Sequence, residues 1–517
     1  MKLTYMKKIF ALFLSILFIS SLPACTPKEK APEAFTDLPV TETTLPKPED
    51  KMRVIITQDG EVDDRNSLIH TLLYSNEIDI EGIVQTSSVL HYSGNDSFPS
   101  KRWPGTEWMY DIIDAYASVY PNLIVHDPSY PSPDALLAVT VVGNVETVND
   151  TEKPTAGSEL IKNSILKDDP RPLYLVAGGG MNTIARALMS IEEEYKGSAE
   201  WDALYRRICD NVIITAYSEQ DNCYKNYILP NWTEIRYIDI AGAAKAYGYM
   251  WSGLKNLPDE AVEKMTGTWM EEHLEKGCGP LLDLYVTWYD GTYLTGESET
   301  DQYGTNADLM TASGRACKQY DFLSEGDSPA WFIAIQNGLR SNEDLSYGGW
   351  YGRLCVRASK DYPEARMFAV ANGTDQGISQ WVAAIQSDFA TRAKWCVAGS
   401  YEEANHAPSL QITEGLNLAV SPGQSVTLHA QSSDPDGDDC SLLWYQAAYA
   451  DTYSEPLDEL DEIIPLTLTV SGTNSEIMQF TVPGDAKPGD TIHIIAECID
   501  NGGANPRAYQ RVIFLVK

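Results

Sequence analysis

The sequence predicts an α/β domain, a mainly parallel open sheet with helices on both faces, followed by an all-β, immunoglobulin-like sandwich. Three observations carry this. From about residue 52 to residue 400, apolar strand-like runs alternate with stretches of helical spacing. Around 401–408 (YEEANHAP) the character changes to short alternating segments divided by Gly, Pro and Asp. The 517 residues are 43% hydrophobic, enough to fill packed cores in two such units.

Each element has its own reason. MRVIIT (52–57) is an unbroken apolar run rich in β-branched residues, the pattern of a strand covered on both faces. Residues 64–75 then carry Leu68, Ile69, Leu72 and Leu73 at helical spacing. IDIEGIV (78–84) is the next strand, and 106–119 the next helix. PLYLVA (172–177), three glycines and TIARALMSI (183–191) make a strand–turn–helix, and NVIIT (211–215) is a further strand. Alternation of this kind builds a parallel sheet, whose ligands sit beyond the carboxyl ends of the strands. Residues just after 57, 84, 177 and 215 therefore matter most. Beyond 404 come LNLAV, SVTLHA, SLLWYQ, LTLTVSG, IMQFTV, TIHIIAECI and RVIFLV, separated by turn signals such as SPG and DPDGD. That spacing is the pattern of an antiparallel sandwich.

The N-terminus reads as an address. Lys2, Lys7 and Lys8 precede an apolar run, Ile9 to Ile19, too short for a permanent membrane helix. Leu22-Pro23-Ala24-Cys25 resembles the lipobox of bacterial lipoproteins, which implies cleavage before Cys25 and lipidation of its thiol. Thr26, rather than Asp, follows it, which favours the outer membrane. Residues 25–50 are rich in Pro, Thr and Glu and form an extended tether. The expected organisation is thus a signal peptide (1–24), a tether (25–50), the α/β domain (51–403) and the sandwich (404–517), with lipid as the only membrane contact. The net charge of −36 repels phosphate backbones, which excludes a general nucleic-acid binder and suits hard cations. The cysteines show no CxxC pattern, which argues against zinc; Cys440 and Cys498 are placed either to bridge two strands or to stay as buried thiols.

The densest chemical signal is Thr57-Gln58-Asp59-Gly60-Glu61-Val62-Asp63-Asp64, at the end of the first strand. Helix capping accounts for one of these carboxylates, Asp63 or Asp64; the cluster as a whole calls for a cation or for donors between its members. Here the chain resembles the nucleoside hydrolase superfamily, whose first strand ends in D-x-D-x-x-x-D-D. Asp59, Asp63 and Asp64 match the last three aspartates, with Thr57 in place of the first. EGIVQTSS (81–88), LVAGGGMNTIARAL (175–188) and EGDSPAWF (325–332) resemble later landmarks of that superfamily. YSEQDN (217–222), YGGWYGR (347–353) and ANHAP (404–408) fit a divergent branch that carries a C-terminal β-sandwich, some members of which are described as cellulose-binding. The resemblance covers about residues 52–517.

The resemblance implies one Ca²⁺, with Asp59, Asp64 (bidentate), Asp327 and a backbone carbonyl near Gly178 as ligands. It implies that Asp59 takes a proton from a metal-bound water, that Asp63 holds sugar hydroxyls, and that the sugar leaves with oxocarbenium character. Asp221, Asn222 and Asn226, beyond a strand end, are sugar-contact candidates or a plain polar loop. A histidine precedes the late aspartate in the nucleoside hydrolases; here Gly326 stands there, with Glu325 before it as either an acid or a surface residue. Nucleoside salvage therefore fits less well than a glycan furanoside or another exported glycoside.

Other groups have blander readings. His91 and His126 read as structural histidines, Asp434 to Asp439 as a β-turn, and Trp103, Trp108, Tyr347, Trp350 and Tyr351 mostly as packing. The expected function is calcium-dependent hydrolysis of an N- or O-glycosidic bond by an envelope lipoprotein, acting on a small glycoside or a polysaccharide. The alternative is a non-catalytic lipoprotein that binds cellulose or another polysaccharide.

Overall fold

The computed structural model describes residues 51–244, 247–248, 257–306, 317–370, 377–453 and 468–517. The signal peptide, Cys25 and the tether lie outside the described residues. The first unit is an eight-stranded sheet containing β1 (Met52–Gln58), β2 (Ile78–Gln85), β3 (Thr140–Val142), β4 (Leu173–Ala177), β5 (Val212–Ala216), β6 (Arg236–Asp239), β7 (Leu354–Arg357) and β8 (Met367–Val370). Their spatial order is β3-β2-β1-β4-β5-β6-β8-β7, and every neighbouring pair is parallel except β7 with β8. β1 lies between β2 and β4, so the order of addition reverses beside it. That reversal opens a crevice at the carboxyl ends of β1 and β4.

Period-two alternation divides the strands between two cores. Val54 and Ile56 of β1 and Val176 of β4 face one side; Ile55 of β1 and Leu175 and Ala177 of β4 face the other. The first side is covered by α1 (Val62–Leu72) and α2 (Glu107–His126) together with the late helix Val382–Trp395. The second is covered by α4 (Ala156–Leu166), α5 (Asn182–Tyr195) and α6 (Trp201–Asn211), with α3 (Pro133–Ala138) between α2 and β3. Fully buried side chains such as Leu68, Ile184 and Leu188 each stabilise the fold by about 1.5–3 kcal/mol before ordering costs. Among the described residues no helix is long and apolar enough to cross a membrane.

The second unit is a sandwich of two four-stranded sheets. One is ordered β10 (Asn417–Val420), β16 (Arg507–Val516), β15 (Thr491–Asp500), β12 (Cys440–Gln446). The other is ordered β13 (Val470–Ser471), β14 (Ile477–Thr481), β11 (Ser425–Ser433), β9 (Ser409–Ile412). β10 pairs with β16 in parallel, a departure from the all-antiparallel expectation. Cys440 and Cys498, on neighbouring strands, are free thiols.

The sandwich is not an appended bead. Ile495 and Tyr509 belong to the same continuous core as Trp350, Tyr351 and Trp381 of the α/β unit. A second joint is a ring chain. His126 at the end of α2 stacks on Trp395 and meets His406, Nδ1 to Nε2, at 2.9 Å. His406 Nδ1 lies 3.1 Å from Asp436, and His126 Nε2 lies 3.2 Å from the Ala398 carbonyl. Both outer partners only accept, so three hydrogen bonds across two rings need three ring protons, one net positive charge beside Asp436. A further proton would set two N–H groups head-on. Burial, opposed by the Ala398 carbonyl, holds the His126 imidazole below its usual range. A base whose folded pKa is depressed contributes stability above its unfolded value, about 6.5, and loses it as pH falls. The denaturant stability margin of wild type over His126→Gln is therefore expected to narrow as pH falls below about 6.5, and a margin independent of pH would remove the ring chain as the cause.

Candidate functional site

The carboxyl end of β1 runs directly into Asp59, Gly60 and Glu61, and α1 begins at Val62. Gly60 has φ +90, and a Cβ there would stand 2.6 Å from Pro104 Cγ, so only glycine turns the chain at this point. Glu61 is the N-cap of α1 and forms a reciprocal capping box with Asp64. Asp64 Oδ2 accepts the backbone N–H groups of Gly60 and Glu61, each at 3.0 Å. Its Oδ1 is buried and has no hydrogen-bond partner. One oxygen of Asp64 thus caps the helix while the other faces the crevice. The bidentate geometry implied by the resemblance has only Oδ1 wholly available.

Opposite stands the turn after β4. The amides of Gly178 and Gly179 donate to the Thr57 carbonyl at 2.8 and 3.3 Å, which ties β4 to β1 and gives Thr57 a structural task. A Cβ on Gly178 would lie 2.6 Å from Asp64 Oδ1 and 3.2 Å from Asp327 Oδ2. On Gly179 it would lie 3.0 Å from Asp59 Cβ, and on Gly180 2.6 Å from Asp221 Oδ2. The three glycines are required by close approach rather than by φ. The Gly178 carbonyl accepts the Gln220 side-chain amide, so the oxygen expected to be a ligand is already shared.

Asp327 precedes the short helix Ser328–Phe332 and is 3% exposed. Ligand oxygens of Asp63, Asp64 and Asp327 lie within 4.8 Å of one another; Asp59, Glu61 and His91 form a second such group. The electrostatics follow from crowding. Burial and the neighbouring Asp59 push Asp64 well above the usual carboxylate range, and burial with Asp63 does the same to Asp327. Burial and Asp59 raise Asp63 to about 7. For Asp59 burial opposes ionisation, but the His91 imidazole overrides it and holds the carboxyl low. Burial likewise disfavours the His91 cation, and Asp59 with Glu297 overrides it, raising His91 to about 11.

The donor set fits a hard divalent cation. It consists of carboxylate oxygens, Asp59 Oδ2 and Asp64 Oδ1 are buried without partners, and Gly178 leaves the space open. A cation there would offset the mutual repulsion that raises Asp63, Asp64 and Asp327.

Not every expected residue joins this group. Asp221 accepts the Cys223 amide at 2.8 Å through Oδ1, and its Oδ2 is buried beside Gly180 without a hydrogen-bond partner. Asn222 and Asn226 are exposed; the Asn222 amide donates to Asn149 and the Asn226 amide to the Asn222 carbonyl. Glu325 is neither a surface residue nor directed into the crevice. It is buried and accepts from Tyr285 (2.5 Å) and Ser328 (2.6 Å), with His70 at 2.7 Å. A Cβ on Gly326 would meet Asp63 Oδ2 at 2.6 Å, so the missing histidine is the room that Asp63 occupies. Trp108, Tyr347, Trp350 and Tyr351 are core residues.

Three residues of the crevice escaped the sequence reading. His91 is fully buried, 3.6 Å from Asp59 and 3.3 Å from Glu297, rather than a remote structural histidine. Its place beyond the end of β2 was the available signal. Glu297 lies in a long loop with no pattern to mark it. Tyr217, just past β5, lies within reach of the fields of Asp63 and Asp327, and burial with those carboxylates raises its phenol.

Similarity to known proteins agrees with this construction. The solved structure of a nucleoside hydrolase-related hypothetical protein from Saccharophagus degradans, associated with carbohydrate metabolism, superposes with a TM-score of 0.69 at 27% identity, covering 90% of this chain and all of that one. Two others, the effector protein XOO4466 and the type III effector XopQ complexed with adenosine diphosphate ribose, reach TM-scores of only 0.35 and 0.32 at 10% and 11% identity. They cover 67% and 69% of this chain and 94% and 95% of their own. No curated protein matches the chain. Residues 425–516 match the family described as the C-terminal domain of cellulose-binding protein Sde0182. Residues 53–354, more than half of the chain, match the nucleoside hydrolase-like domain of cellulose-binding Sde182, and the protein belongs to that family.

Proposed function

We propose that this protein engages a polysaccharide or a glycoside derived from one, and hydrolyses a glycosidic bond in the crevice beyond β1 and β4, with Ca²⁺ as cofactor. The observation that carries the reading is the convergence of Asp59, Asp64 and Asp327 on the Gly178 turn, with two buried oxygens left unpaired. Asp59, Asp64 and Asp327 would hold the cation, which would supply Lewis-acid activation of water and a grip on sugar hydroxyls. Asp59, kept ionised beside His91, is the base for the water proton. Asp63 reaches the edge of the same space and accepts sugar hydroxyls. As the water oxygen bonds to the anomeric carbon, the bond to the leaving oxygen breaks; its electrons go to that oxygen, which takes a proton from solvent, and the surrounding carboxylates stabilise the positive charge on the sugar. Tethering through a lipidated Cys25 in the outer membrane would place this activity in the cell envelope.

A second reading has its own support. Gly326 stands where a histidine would assist the leaving group, Asp63 fills the space, and the family is described as cellulose-binding. Carbohydrate binding without turnover follows if no group protonates the leaving oxygen. Release of reducing sugar or free base from a panel of furanosides, cello-oligosaccharides and nucleosides, with and without calcium, separates the two. The hydrolase reading expects calcium-dependent turnover that falls at least about 1,000-fold in Asp59→Asn while glycan binding persists. Glycan binding with no turnover of any substrate supports the second.

A further inference from the structure

We propose that Asp59, Glu61 and His91 form a second metal site, sharing Asp59 with the Asp64–Asp327 calcium site, and that it takes a first-row divalent transition metal of the zinc type. The three side chains come from two strand ends: Asp59 and Glu61 follow β1, and His91 follows β2. Each offers a ligand atom, and these atoms all lie within 4.8 Å of one another. The acidic residues alone would carry nothing; the histidine decides the matter.

His91 is fully buried, and neither of its ring nitrogens makes a hydrogen bond. A buried imidazole with neither nitrogen in a hydrogen bond is costly, because each loses its water for a carboxylate that stands off rather than bonds. The carboxylates beside it stand off: Asp59 Oδ1 is 3.6 Å from Nδ1, and Glu297 Oε1 is 3.3 Å from Nε2. The first separation is long for a hydrogen bond and suits two ligands of one ion. A nitrogen and an oxygen each about 2.1 Å from a tetrahedral metal are about 3.4 Å apart. Asp59 Oδ2 is buried and unpartnered as well. Glu61 is partly exposed, and its carboxylate also accepts the Asp64 amide within the capping box.

The donor chemistry separates this group from its neighbour. Asp63, Asp64 and Asp327 offer oxygen only, which suits a hard ion such as calcium. An imidazole nitrogen with carboxylates suits zinc and its neighbours in the first row. Glu297 then serves as the outer partner that orients the ring. Metal uptake displaces a proton from His91 to solvent, so charge and protons balance.

The test is a zinc titration of the chelator-stripped protein in saturating calcium, followed by calorimetry, with bound metals counted by elemental analysis. One zinc per chain is expected beside the calcium. His91→Gln is expected to weaken zinc at least about 100-fold, more than the loss of an outer partner would, and to leave calcium in place. Asp64→Ala is expected to do the reverse, so failure of the calcium reading and failure of this one give different results. Should His91→Gln not fold, Glu61→Gln makes the same cut from the partly exposed side and is expected to lose zinc too. Wild type without tight zinc, zinc displaced one-for-one by calcium, or zinc retained in both the His91 and Glu61 variants would overturn the second site. His91 would then be the buried counter-ion of Asp59 and Glu297.

Discussion

Asp64→Ala is expected to abolish tight calcium binding, and with it any calcium-dependent turnover, while leaving the fold intact. Elemental analysis should find about one calcium per wild-type chain and none in the variant. The substitution removes Oδ1, the buried oxygen that faces Gly178 without a partner. It also removes the cap on the Gly60 and Glu61 amides, which costs about 1 kcal/mol. Both expected losses have a control. Asp64→Asn keeps a capping oxygen but removes the ionisable carboxyl, so it should retain most of the stability and little of the calcium. Calcium retained at full stoichiometry in both variants would dissolve the site.

The same carboxylates set an unusual pH dependence for the metal-free protein. Asp63, Asp64 and Asp327 have folded pKa values above those of an unfolded chain, Asp63 reaching about 7. Between the ordinary carboxyl range near 4 and about 7, the folded state therefore holds protons that the unfolded state has released. Stability contributed by these groups is present at low pH and is lost as pH rises through that window, the reverse of a salt-bridged aspartate. Asp59, held low, titrates below this window and leaves its slope unchanged. The metal-free protein should thus melt at a lower temperature at pH 7.5 than at pH 5, with a flatter slope in Asp64→Asn. Calcium binds the ionised forms, so its affinity and its stabilisation should both increase with pH, reaching about 4 kcal/mol at a thousand times Kd.

How much of this was legible in the sequence depends on what fixes each feature. β1, β4 and β5 were visible because strands covered on both faces need near-continuous apolar runs, as MRVIIT and LYLVA are. The parallel pairing of β10 with β16 was not, since alternation marks a strand but not the direction of its neighbour. At the site, Asp59 and Asp64 stand on one short turn and were recognisable together. Asp327 came only from resemblance, because the 262 positions between it and Asp64 carry no local spacing rule. His91 and Glu297 come from distant parts of the chain, and their contact is one that no sequence period encodes. Asp221, a sugar-contact candidate from its place after a strand, keeps one buried oxygen without a hydrogen-bond partner beside Gly180. Glu325 illustrates the converse. A carboxylate beside a ligand position looks chemical until Tyr285, Ser328 and His70 are found around it.

Arg511→Met is expected to destabilise the whole chain in a single cooperative transition, even though the residue lies in the sandwich. Arg511, on β16, is fully buried and donates to the carbonyls of Leu339 (2.6 Å), Tyr347 (2.9 Å) and Gly348 (3.2 Å) in the α/β unit. Its own amide donates to the Gly338 carbonyl at 3.1 Å, and a Cβ on Gly338 would stand 1.9 Å from the Tyr509 carbonyl oxygen, so backbone meets backbone here. Methionine fills much of the volume but leaves three carbonyls without donors, each costing about 1–3 kcal/mol. A loss of at least about 3 kcal/mol is therefore expected by urea unfolding. Around the arginine, Trp381 packs edge-on to Tyr509 at 5.5 Å, and Arg340 reaches the Leu416 carbonyl at 3.1 Å. These contacts make the sandwich one wall of the α/β core rather than a detachable binding module. A chain ending at residue 403 should accordingly be insoluble or fail to fold, because it exposes the surface around Trp350, Tyr351 and Trp381. Two independent unfolding transitions, or a soluble and folded truncated chain, would show that the two units are joined only by their linker.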